Sequence, residues 1–189
     1  VRQFDQGSIA DRSANRTALR AQFGLPDDDG PIVAMVTRLT EQKGIDLVLG
    51  ALPELIAAQA QLIVLGDGDR WLRDELGRLE GEYQSHVRLA ARFDEGLAQR
   101  IYAGADMFLM PSRYEPCGLG QLIAMRYGTI PIGRRTGGLA DTILDPQEHP
   151  ETGTGFLFDE FSTVGFVAAF ERALMAFRDP ETWERLRHN

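Results

Sequence analysis

Cysteine is nearly absent: Cys117 is the only one in 189 residues, so no internal disulfide can form. Neither it nor the three histidines fall at zinc-site spacings, and a reducing cytoplasm is the simplest setting for such a chain. Apolar runs long enough to span a membrane are missing, and no secretory leader pattern opens the sequence. Positive charge is in deficit. Twenty Lys and Arg against 28 Asp and Glu leave a net charge of −8, which argues against a nucleic-acid partner, because a phosphate backbone is held by a basic surface. Any phosphate site here must be local. Internal repeats and low-complexity segments are also missing.

What is present is a core: 43% of the residues are hydrophobic, enough for one large domain over residues 1–189. Residues 1–13 are polar and without period, and read as the irregular remnant of a linker. Beyond them, strand-length apolar runs at 31–36, 61–65, 86–89, 106–110, 129–132 and 155–158 alternate with helical patterns. The helices are placed at 14–23, 45–55, 70–79, 95–103, 121–127, 139–143 and 162–177, with another beginning at 180–186. Gly24 and Pro26 stop the first helix, and Ser162 caps the long apolar one. Strands alternating with helices predict an α/β, Rossmann-like, doubly wound parallel sheet of about six strands.

The densest stretch is 111–142, PSRYEPCGLGQLIAMRYGTIPIGRRTGGLADT. It joins a proline-rich loop, a carboxylate, two glycine turns, a short helix with Leu122 and Met125, and as a third candidate Ala124, facing inward, and a strand. Gly118, Leu119 and Gly120 open that helix, where unpaired N–H groups and bare backbone favour an anion. Arg38 follows the first strand and Lys43 precedes the second helix, so both can point into the crevice at the carboxyl edge of an open sheet. Solvated loop charges are the commoner fate of such residues. Asp67-Gly68-Asp69 has the look of a metal-binding Asp-x-Asp, but its glycine suits a tight turn and Asp69 suits a helix cap, so no metal is expected.

These motifs resemble the bacterial glycogen synthase and plant starch synthase family of retaining glucosyltransferases with the GT-B fold. The resemblance rests on EPCGL (115–119) with the following QL, MRYGT (125–129), RRTGGLADT (134–142), TRLTEQKGIDLVL (37–49), FDEGLAQRIYAGADMFLMPSR (93–113) and TGF (154–156). All stand in the family's order at about its spacing. The resemblance implies the C-terminal, donor-binding half of the fold, with an α-glucan acceptor held by an N-terminal domain outside this chain. The chain opens on Val1 and is read as a fragment, expected to be inactive alone. Residence would be cytoplasmic, or plastidic in a plant.

The same resemblance implies roles. Arg38 and Lys43 would contact the phosphates of ADP-glucose or UDP-glucose, and the N–H groups of Gly118, Leu119 and Gly120 would join them. Glu115 matches a glutamate important for activity. An ionised carboxylate only accepts hydrogen bonds, so it suits the glucosyl hydroxyls better than phosphate, though it could equally cap the helix after Gly118. Phe93 could stack on the base, but a core position is the readier reading, as burial is for Cys117. Gly120 departs from the family's common threonine, and Ile123 stands where many other GT-B transferases carry a second glutamate. A non-catalytic nucleotide-binding regulator is the alternative. A dinucleotide oxidoreductase is disfavoured because TRLTEQKG, not G-x-G-x-x-G, follows the first strand.

Overall fold

In the computed structural model, which describes residues 2–189, six strands form one parallel sheet in the order β3-β2-β1-β4-β5-β6. They are β1 (Ile32–Val36), β2 (Gln61–Leu65), β3 (Val87–Ala90), β4 (Met107–Met110), β5 (Ile130–Arg134) and β6 (Phe156–Phe158). The helices are α1 (Arg12–Phe23), α2 (Ile45–Gly50), α3 (Leu52–Ala57), α4 (Arg70–Glu82), α5 (Glu95–Gly104), α6 (Gly120–Arg126), α7 (Gly138–Thr142), α8 (Thr163–Phe177) and α9 (Pro180–His188). The strands read as unbroken apolar runs because both faces are covered. Val33, Met35, Leu62, Val64, Met107 and Leu109 pack into a core with α2, α3, α4, α8 and α9. Their neighbours Ile32, Ala34, Ile63, Leu65 and Phe108 point the other way, into a second core with residues of α1, α5 and α6. This is the period of two that a strand imposes.

Element boundaries fall within a few residues of the sequence reading, with two substantive differences. The helix expected over 45–55 is two helices, because Pro53 lacks an N–H and starts a new helix near its own N-terminus. The segment read as irregular linker also carries structure. Residues Gln6–Asp11 form a 3-10 turn, and α1 begins at Arg12, whose side chain is 2% exposed. Its guanidinium donates to the carbonyls of Tyr102 and Ala105 and to the Thr129 hydroxyl. Val1 lies outside the described residues. As expected, the Ser162 side chain caps α8, accepting from Gly165 N at 3.0 Å.

The strand order places β1 beside β4, and chain connections leave this point in opposite directions across the sheet. Such a switch point opens a crevice at the carboxyl ends of the two strands. Among the described residues, no helix is long and apolar enough to cross a membrane.

Candidate active site

The loops that follow β1 and β4 meet over this crevice. Arg113 N donates to Gln42 O at 2.8 Å, and Gln42 Nε2 donates to Tyr114 O at 3.2 Å. Gly44 sits at φ 69° with the Pro111 carbonyl against its Cα, so any side chain there would be both strained and blocked. This close approach brings Lys43, the only lysine of the chain, to Glu115: Nζ lies 2.6 Å from Oε2. Ser112 Oγ donates to the same oxygen at 3.0 Å. Both charged side chains are mostly buried, at 18% and 11% exposed. They border a cavity of about 20 Å³, lined also by Val36, Thr37 and Met110, which is room for about one water. Glu115 therefore does not cap α6; it holds Lys43.

Arg38 lies on the same carboxyl edge, exposed and without an ion pair among the described residues. Its loop is fixed from the far side by the turn after β2. Leu39 N donates to Asp67 O at 3.0 Å and Asp69 N to Leu39 O at 2.7 Å. The Asp67 carboxylate turns to Arg73 and to Gly68 N, and Asp69 occupies the cap position of α4 but its side chain makes no capping bond to the helix.

The loop 115–120 is built to present amide hydrogens. Gln121, 0% exposed, donates through Nε2 to Gly118 O at 2.9 Å, to Cys117 O at 3.4 Å and to Thr142 Oγ1 at 3.0 Å. A trans peptide points its C=O and N–H in opposite directions, so holding these two carbonyls turns the N–H groups of Gly118 and Leu119 away from Gln121. Gly118, at φ 65°, leaves the space the Gln121 amide fills. From behind, Gly138 N at the start of α7 donates to Glu115 O at 3.0 Å and Pro116 O at 3.2 Å. The site thus draws on loops after β1, β2, β4 and β5, all at one edge of the sheet.

The model of the glycosyl transferases group 1 family matches residues 30–176. The chain belongs to that family. Among its curated relatives, glycogen synthase 2 of Nitrosococcus oceani is 47% identical over 98% of this chain, and the glycogen synthase of Bacillus subtilis is 48% identical over 97%. The chain spans 38% of the length of each. The catalytic domain of starch synthase IV from Arabidopsis thaliana, solved bound to ADP and acarbose, superposes with a TM-score of 0.92 at 38% identity. That match covers 98% of this chain and 40% of the other. The fold is the Rossmann-like one of GT-B glycosyltransferases.

Within this glycosyltransferase domain, several expectations need correction. Phe93 is not a core aromatic: it is 92% exposed, in the loop after β3, ahead of an α5 capped by Asp94. Cys117 is exposed rather than buried. The helix placed at 121–127 begins at Gly120, so Gly118 and Leu119 precede it. Its inward face carries Ala124, as expected, together with Gln121, while Leu122 is 43% and Leu119 69% exposed. Apolar spacing pointed to Leu122, because a buried glutamine whose NH2 is held by loop carbonyls and Thr142 leaves no hydrophobic signal. Gln121 was missed for that reason, and the Gly138 support because a long-range backbone bond leaves no side-chain signal.

Proposed function

We propose that this chain is the donor-binding domain of a glycogen or starch synthase, which transfers glucose from a nucleoside diphosphate with retention to the non-reducing end of an α-1,4-glucan. The observation that carries the reading is the convergence of Lys43, Glu115 and Arg38 on one sheet edge with the bare amides of Gly118 and Leu119. The glycogen synthase relatives and the ADP-bound starch synthase support the substrate class, and the latter favours an adenine over a uracil nucleotide. The acceptor glucan would bind largely outside these residues.

The chemistry follows from charge. Breaking the bond between the anomeric carbon and the diphosphate oxygen leaves negative charge on the departing phosphate. In this reading Arg38 and Lys43, with the N–H groups of Gly118, Leu119 and Gly120, are the donors that stabilise it. Lys43 keeps two of its three N–H donors for phosphate while the third stays on Glu115. Glu115, anchored by Ser112 and Lys43, accepts from glucosyl hydroxyls. Phe93 offers an exposed face for the base. No metal is required for this chemistry.

Retaining transfer needs an acceptor held against the donor. The longer enzyme, assayed with radiolabelled ADP-glucose and UDP-glucose on a glycogen primer, is expected to incorporate glucose, and the isolated 189-residue chain to incorporate none. Incorporation by the isolated chain would sink the two-domain reading. A longer protein that binds donor but never turns over would favour the regulatory alternative.

A further inference from the structure

At the amino edge of the sheet, opposite the donor site, lies a second concentration of charge that this function leaves unused. A cavity of about 270 Å³ is lined there by Arg12, Arg16, Arg187, Asp106, Asp29 and Trp183, among others. Asp106, 1% exposed, has both oxygens occupied: Oδ2 by Arg16 Nε at 2.9 Å and Ile32 N at 2.9 Å, Oδ1 by Arg187 at 3.1 Å. Asp29 is exposed. Arg12 therefore hydrogen-bonds no carboxylate among the described residues, only neutral oxygens on one terminal nitrogen.

A guanidinium 2% exposed that hydrogen-bonds no carboxylate and feels Asp106 only through space is unusual, because buried charges are costly unless paired. Three donors on residues that line this cavity, each almost wholly covered by protein, also lack an acceptor among the described residues: Arg12 Nε, Arg187 Nε and the Trp183 indole Nε1. An unmet buried donor is itself destabilising. Burial, followed by repulsion from Arg187, pushes the Arg12 pKa down to about 9. The loss of solvation and the missing acceptors point to one remedy, an oxyanion with several lone pairs.

We propose that this cavity is a binding site for a small phosphate-bearing molecule, held by Arg12, Arg187 and the Trp183 indole. The planar fork of arginine matches phosphate oxygens, and the volume exceeds that of a bare phosphate, leaving room for a small organic group. The two tryptophans of the chain make the test specific. Trp183 lines the cavity, whereas Trp71 lies on α4 at the start of which the opposite edge is reached.

Inorganic phosphate titrated into the ¹⁵N-labelled chain, at ionic strength matched with chloride, should move the Trp183 indole N–H resonance saturably. Trp71, identified by Trp71→Phe, should not follow the same curve, and chloride alone should move neither. Lys43→Ala should leave the Trp183 response intact, and Arg187→Met should weaken the apparent affinity at least tenfold. A linear or absent Trp183 response in the wild-type chain overturns the proposal, whether or not the arginine variant folds. Loss of the response in Lys43→Ala also overturns it, since the phosphate would then be acting from the donor site.

Discussion

Lys43→Ala in the longer enzyme should lower kcat by about a hundredfold to a thousandfold, the usual loss when one preorganised donor to developing negative charge is removed. Lys43 is nearly buried and held by Glu115 at 2.6 Å, so its ammonium is ordered before any donor binds. Arg38→Ala should also reduce turnover, but by less, because Arg38 is exposed and a solvent-screened charge stabilises less. Glu115→Ala is expected to reduce activity by two routes: it removes the acceptor proposed for the glucosyl hydroxyls and frees Lys43 from its fixed position. Steady-state kinetics at saturating glycogen separates these. A Lys43→Ala enzyme with near-normal kcat would return that residue to the class of structural ion pairs.

The largest effect on stability is expected at Asp106→Ala. Removing this carboxylate leaves Arg16 and Arg187 without their counter-charge and the Ile32 amide without its acceptor. Breaking a buried ion pair from one side costs about 3–5 kcal/mol, a large share of the roughly 5–15 kcal/mol that a domain has in total. Urea denaturation should show a midpoint much below wild type with little change in slope. Asp106→Asn should fall between the two, because it keeps the shape and one acceptor oxygen. A loss below about 1 kcal/mol for the alanine variant would mean that the arginine cluster finds other partners.

Much of this architecture was legible in the residues. The apolar runs at 31–36 and 106–110 marked β1 and β4, and the motifs after them required the two strands to be parallel neighbours, which they are. The Ser162 cap and the αL stop at Gly24 were also readable from local chemistry. Buried polar groups were not. Arg12 bonds to Ala105 and Thr129, 93 and 117 residues away, and no local pattern announces such partners, so the segment around it looked like linker. The same blindness hid Gln121, while Leu122 was given its place. Phe93 erred in the other direction: aromatic residues are usually buried, and this one stands out from the sheet edge.

The central claim is that Lys43 and the bare amides of Gly118 and Leu119 form one donor-phosphate site. Because Lys43 is the only lysine, a ¹³C label confined to lysine reports on it alone, and ¹⁵N labelling reports the two amides in the same sample. Titration with ADP-glucose should shift the Lys43 signal and the Gly118 and Leu119 amide resonances together, along one saturation curve. Saturable binding of ADP-glucose that leaves those three signals in place would contradict the site.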